Sequence, residues 1–226
     1  MKKIFASLFP LSFTEFRSNW RDAIKEPSFR LKGLLSLFAL LAVALYIPHF
    51  FLFIQARPGH LLNDVFLNYI TPRNVSWFIF PLMYGVIALC LINISSRPEL
   101  LMRSLQAYTI LMVLRMIVLY LTPLEPERML IPLEDPFIGR FFYSGGIITK
   151  DLFFSGHVST MFLLVLLNPV PRLRNFLLLS TILIAAFILI QHVHYTIDVV
   201  AAPLFAWVSY LFSGHVWLTV NRPKTQ

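Results

Sequence analysis

The apolar positions of this 226-residue chain fall in long unbroken runs rather than in alternation. Cutting the chain at its charged residues leaves six such runs. They extend from Gly33 to Ala56, Asn74 to Ser96, Ser104 to Leu124, Leu152 to Pro171, Asn175 to Ile197 and Val199 to Asn221, and the third is broken only by Arg115. Each approaches or exceeds the roughly 20 residues that a helix needs to cross a bilayer. Backbone groups in lipid must be satisfied within their own segment, and the runs lack the two-residue period of a barrel strand. The expected fold is therefore an all-α membrane protein, a six-transmembrane-helix bundle. Ahead of the first run, Phe5, Phe9, Phe13, Phe16, Trp20 and Ile24 recur every three or four residues with charges between them. That spacing predicts an N-terminal interfacial amphipathic helix. Pro10 and the early charges Glu15 and Arg17 favour it over a cleaved signal peptide.

Composition supports this class. Apolar residues make up 58% of the chain and charged residues only 13%, and the mean hydropathy is +0.73. A soluble domain carries about twice that share of charge. The net charge of +8 sits mostly beside the apolar runs, so its expected partners are anionic lipid headgroups and no nucleic acid. The lone Cys90 excludes an internal disulfide and a zinc ribbon. Lysine and arginine concentrate before the first run, between the second and third (Arg97, Arg103), between the fourth and fifth (Arg172, Arg174) and in the tail (Arg222, Lys224). The bias of basic loops toward the cytoplasm then puts both termini inside. The chain divides into a cytoplasmic amphipathic segment (residues 1–32), a six-span membrane domain (33–221) and a cytoplasmic tail (222–226). Short loops and compact length favour a bacterial inner membrane over a Golgi-type membrane.

Two motifs carry candidate chemistry, and both fall at the extracytoplasmic ends of their runs. In Ser155-Gly156-His157, Ser155 suits a helix N-cap and Gly156 lets backbone approach a ligand closely. Free amides at such a helix start suit a phosphate, with His157 beside it. Alone, the tripeptide reads better as a capped helix with an interfacial histidine. In His194-Tyr195-Thr196-Ile197-Asp198, a spacing of four puts imidazole and carboxylate on one helix face. A carboxylate on one ring nitrogen fixes the tautomer and frees the other nitrogen to attack. The bland alternative is a structural His–Asp pair, but ionisable groups in membranes are costly and tend to be functional. A short turn between the fourth and fifth runs makes those helices antiparallel and lets the motifs converge. Arg115, in mid-run, needs an acid, a carbonyl or a lipid phosphate as partner. Asp151 and Asp198 are its candidate structural partners.

These strings resemble a known family. Arg115-x-Ile117-x-x-Tyr120-x-Thr122-x-Leu124, Asp151-x-x-x-Ser155-Gly156-His157 and His194-Tyr195-Thr196-Ile197-Asp198-Val199 are similar, in order and spacing, to motifs of the sphingomyelin synthases. Those enzymes transfer headgroups to ceramide and sit within the type 2 phosphatidic acid phosphatase superfamily. The resemblance covers roughly residues 75 to 215. It implies six spans, an extracytoplasmic site and transfer of a phospho-headgroup from a phospholipid donor to ceramide or diacylglycerol. It further implies His194 as nucleophile, Asp198 as its assistant and His157 as the proton-handling group, with a phosphohistidine-type intermediate and neither metal nor other cofactor. Arg115, Ser155, Gly156 and Lys150 become candidate phosphate contacts, and Asp151, Tyr120 and Tyr195 supporting residues. The chain departs from the family in having Thr149 and Lys150 before the aspartate and Val193 before the last histidine. The competing expectations are a lipid phosphate phosphatase, which the absence of a basic first motif disfavours, and a non-catalytic lipid-binding or transport protein.

Other residues read as background. His192 lies two residues before His194, so a helix would turn it away, and a zinc site built from His157, His192, His194 and Asp198 is disfavoured by that spacing. His49, His60 and His215 read as interfacial or packing residues. Glu125, Glu127, Glu134 and Asp135 read as a solvated loop, with a cationic headgroup against Phe141, Phe142 or Tyr143 as the sharper alternative. Trp77, Trp207 and Trp217 read as anchors or packing.

Overall fold

The computed structural model describes residues 13–133 and 148–218. Among them lie seven α-helices: α1 (Phe13–Lys25), α2 (Pro27–Ala56), α3 (Ser76–Ser95), α4 (Pro98–Leu121), α5 (Gly156–Leu167), α6 (Pro171–Ile190) and α7 (Thr196–Leu218), with one 3-10 turn at Leu67–Tyr69. The extended pairing described is a single bridge between His60 and Leu124. Proline opens α2, α4 and α6, where a missing N–H leaves nothing unsatisfied. The N-terminal pattern does form a helix, α1. Trp20 Nε1 donates to the Ser95 carbonyl (2.8 Å) and its ring meets Phe29 edge-on, so α1 docks where α3 ends. Phe5 and Phe9 lie outside the described residues.

Five helices, α2, α3, α4, α6 and α7, are long and apolar enough to cross a membrane. The fourth run corrects the expected count. Instead of spanning from Leu152 to Pro171, it forms only the twelve-residue α5. At 1.5 Å per residue that is about 18 Å, well short of the roughly 30 Å hydrocarbon core. Asn168 ends the helix and accepts Val170 N on its side chain, while Leu152–Ser155 stays non-helical on the other side. The short helix is nonetheless central. It packs on α3, α4, α6 and α7, and buries Val158, Met161, Leu163, Val165 and Leu167. Around it, Ile79, Cys90, Ile94, Leu111, Leu177, Ile184 and Ala202 are fully enclosed. The outer faces stay apolar, as in Leu34, Phe38, Leu91, Leu179 and Leu204, the surface a lipid chain covers. Trp77 is exposed at the start of α3 and Trp207 is half-exposed on α7; the side chains of His215 and Trp217 lie outside the described residues.

Successive bundle helices alternate in direction, so one end gathers four connections: 57–75, 122–133, 148–155 and 191–195. Hydrogen bonds weave them together. His60 N donates to Pro123 O (2.9 Å), Arg73 N to Ile190 O (3.1 Å) and Ile131 N to Gln191 O (3.1 Å). Gln55 Oε1 accepts both Thr149 N (2.9 Å) and Lys150 N (3.1 Å). Gly59 lies so close to the Leu124 backbone that a Cβ there would stand 2.6 Å from its carbonyl carbon. Asp64 reaches across 132 residues to cap α7: Thr196 donates its N–H to Oδ2 (2.5 Å) and its hydroxyl to Oδ1 (3.0 Å). Burial raises the Asp64 carboxyl, but these bonds and those from Phe66 N and Leu67 N outweigh it and hold it below the usual carboxylate range. Glu125 is held low as well, chiefly by the hydrogen bond from Lys150.

Two outcomes follow from this woven end. Gly59→Ala forces backbone apart and lowers the thermal midpoint in detergent by the equivalent of about 1–3 kcal/mol, whereas Gly85→Ala, with open space around it, leaves it unchanged. Carboxyls held low stabilise the fold fully above their unfolded values near pH ~4, and that stabilisation is lost as pH falls through the native values. Thermal scans from pH 6 down to about pH 3 therefore show a steep loss, and Asp64→Asn, which cannot titrate, makes the decline shallower.

Candidate active site

The start of α5 is built by contacts from another helix. Ser155 caps it, its Oγ accepting Val158 N at 3.5 Å. Just before it, Arg115 of α4 reaches in with 4% of its surface exposed. Its guanidinium donates to the Phe154 carbonyl (3.2 Å), the Asp151 carbonyl (3.5 Å) and the Asp151 carboxylate (2.5 Å). Glycine at 156 follows from that approach, since a Cβ there would stand 2.3 Å from an Arg115 nitrogen. Arg115 thus satisfies the non-helical backbone ahead of α5 and meets a carboxylate inside an apolar bundle, where an unpaired cation costs several kcal/mol.

The second motif sits on the connection between α6 and α7. Helix α6 closes with two bonds, His192 N to Leu189 O and Val193 N to Ile188 O, both 3.1 Å. This is the Schellman arrangement, and its left-handed position, usually glycine, is His192 with φ 56°. Helix α7 then starts at Thr196. His194 is therefore not on a helix face with Asp198, as the spacing of four suggested; the Schellman turn ends one helix before it and the next begins after it. Asp198 reaches back instead. Its Oδ2 accepts Tyr195 N (3.0 Å), as the third helical residue does in a capping box, and meets His194 Nδ1 at 3.4 Å. A carboxylate oxygen only accepts, so this contact calls for the ring proton on Nδ1. Asp198 is fully buried and His194 is 2% exposed. Asp198 Oδ1 has no hydrogen-bond partner among the described residues.

One backbone bond joins the two motifs: Ser155 N donates to Asp198 O at 3.1 Å. His157 lies two residues beyond Ser155 in the first turn of α5, half-buried. The structure thus gathers Arg115, Asp151, Ser155, Gly156, His157, His194 and Asp198 at one end of the bundle. Two helices begin there. The start of α7 already holds the Asp64 carboxylate, while that of α5 is capped by a neutral serine. An incoming anion therefore meets less competition at α5.

Other sequence candidates lie elsewhere. Lys150 binds Glu125 Oε1 (2.7 Å) and the Arg57 carbonyl (2.6 Å), so its ammonium braces the connections. Tyr120 is 56% exposed, stacked on Phe53 beneath the Arg57 guanidinium. Tyr195 is buried, its hydroxyl donating to Glu125 O (2.9 Å) and accepting Leu62 N (3.4 Å), and burial pushes its phenol up. Glu125 and Glu127 stay partly exposed, but both are engaged. They tie Gly59, Lys150, Met129 and His192 together. Glu134, Asp135, Phe141, Phe142 and Tyr143 lie outside the described residues. Sequence reasoning missed Asp64, Gln55 and Gln191, each of which joins its own segment to one remote in sequence. It also placed His192 on a helix, whereas the residue stands in the left-handed position of the α6 cap.

A family model described as PAP2 superfamily C-terminal matches residues 150–213. The matched stretch contains both histidine motifs and omits Arg115. It supports the PAP2 superfamily and fits phosphatase or phosphotransferase activity. A search of curated proteins finds no match.

Proposed function

We propose that the protein is a membrane-embedded lipid phospho-headgroup transferase, similar in type to the sphingomyelin and ceramide phosphoethanolamine synthases. The observation that carries this reading is the His194 Nδ1–Asp198 contact, tied through Ser155 N–Asp198 O to the helix start that bears His157. The His194 Nε2 lone pair attacks the phosphorus of a phospholipid. The bond from phosphorus to the glycerol oxygen breaks, and protonated His157 gives its proton to the departing alkoxide. Asp198 steadies the charge that appears on the His194 ring. In the second step the hydroxyl of ceramide or diacylglycerol gives its proton to His157 and its oxygen bonds to phosphorus. The N–P bond breaks and returns its pair to Nε2. The amides at the start of α5 and the Arg115 guanidinium beside Gly156 supply positive potential for the phosphate in both steps.

The charge bias of the connections supports cytoplasmic termini, with the chemistry at the extracytoplasmic leaflet. In that arrangement α5 completes the traverse together with the non-helical segment before it, which makes six crossings. Non-helical backbone at membrane depth is tolerated when it is buried in protein, as Leu152, Phe154 and Ser155 are. The aromatic face of α1 would then rest in the cytoplasmic interface.

Purified protein in detergent, given headgroup-labelled phospholipid with ceramide or diacylglycerol, forms a new labelled lipid. His157→Ala, His194→Ala and Asp198→Asn each reduce that product by about 10²–10⁴-fold while the thermal midpoint of the first two stays near wild type. Release of inorganic phosphate from a lipid monoester, without transfer, makes the protein a phosphatase instead. Unchanged turnover in all three variants defeats the mechanism.

A further inference from the structure

We propose that His192 is a positioning residue for His194, acting as a latch that fixes the connection 191–195 between two neighbouring segments. The inference rests on the reading of His194 as nucleophile. Residue 192 occupies the left-handed position of the α6 cap, where glycine is the low-strain choice and asparagine the usual second. Histidine there is explained by its side chain. The ring is 1% exposed and both nitrogens are engaged. Nε2 lies 2.9 Å from Ile70 O, and Nδ1 lies 3.0 Å from Glu127 Oε2. The carbonyl only accepts, so Nε2 carries a proton and donates to it. One imidazole thereby binds segment 57–75 on one side and segment 122–133 on the other.

The neighbours strengthen the clamp. Glu127 Oε2 also accepts Met129 N (2.6 Å), which fixes the carboxylate within its own segment. Gln191, fully buried, accepts Val75 N at Oε1 (3.0 Å) and donates to Ser76 Oγ (2.9 Å) and to Ile131 O (3.3 Å). Two residues beyond the latch, His194 has a long contact to Asp198, 3.4 Å. A bond that long orients a ring weakly, so the backbone at 194 decides where Nε2 stands. That backbone is set by the clamp at 192 on one side and by the Tyr195 hydroxyl on Glu125 O on the other.

The test compares His192→Gly, His192→Asn and Glu127→Gln in the full chain. Glycine suits the backbone at 192 and removes the latch; asparagine tolerates the same backbone and restores one donor. A merely structural turn predicts that glycine is harmless. The latch predicts that His192→Gly lowers kcat for headgroup transfer by about tenfold to a hundredfold, with KM changed by less than about twofold. Asparagine recovers part of that loss, and Glu127→Gln follows glycine. Hydrogen exchange rises in segments 57–75 and 122–133 and stays unchanged in the helices. Ring ¹⁵N resonances of His194, identified by their loss in His194→Ala, shift in His192→Gly without any substrate present. Wild-type kcat in His192→Gly, or an unshifted His194 resonance, overturns the latch. Exchange that rises throughout the bundle also overturns it, by making the effect general unfolding. If the wild-type protein shows no turnover, the transferase reading fails, and the resonances and local exchange still decide the latch.

Discussion

A guanidinium held inside an apolar bundle organises this structure. Arg115 has little solvent to stabilise its charge, so its partners must come to it. Asp151 supplies the counter-charge, and the carbonyls of Asp151 and Phe154 accept two further hydrogen bonds. Those partners lie in the segment that precedes α5, and binding them keeps that segment non-helical at its depth. The late start of α5, the glycine at 156 and the presentation of His157 all follow from it. Breaking the pair by removing one member leaves an uncompensated buried charge, a loss of about 3–5 kcal/mol in comparable cases.

Economy of side chains is a second theme. One oxygen of Asp198 caps the start of α7 through Tyr195 N and also faces His194 Nδ1. Its backbone carbonyl receives Ser155 N. A single residue therefore joins helix geometry, an acid facing the imidazole and the meeting of two motifs. Asp64 does complementary work by occupying the anion-attracting start of α7 from a distant connection. Two adjacent helix ends are thereby made unequal, although their peptide dipoles are alike.

The membrane class, the helical form and the end at which the histidines gather were legible in the sequence, because unbroken apolar runs and one charged interruption leave few alternatives. Five of the six runs became long helices. The fourth did not, because hydropathy counts apolar residues without knowing that an arginine on another helix claims the carbonyls before Gly156. The Asp198–His194 contact was legible as a pair and misread as geometry. A spacing of four reaches equally well along one helix or from a first turn back to the preceding connection. Asp64, Gln55 and Glu127 gave no sign of their long-range partners Thr196, Thr149 and His192, which three-dimensional proximity alone sets. His192 failed for another reason: it was judged as a helical residue, and the left-handed backbone at that position broke the assumption.

The reach of Asp64 to Thr196, across 132 residues, bears on how the protein is made. Synthesis proceeds from the N-terminus, so α2 to α6 are in place before α7 emerges. Until then Asp64 lacks its Thr196 partner and the carbonyl that receives Ser155 N does not exist. The acid that faces His194 arrives on that same last helix. A ribosome-bound chain halted before α7 thus has its basic and histidine elements but no assembled pair. The joining of the two histidine motifs through Asp198 therefore waits for the insertion of α7.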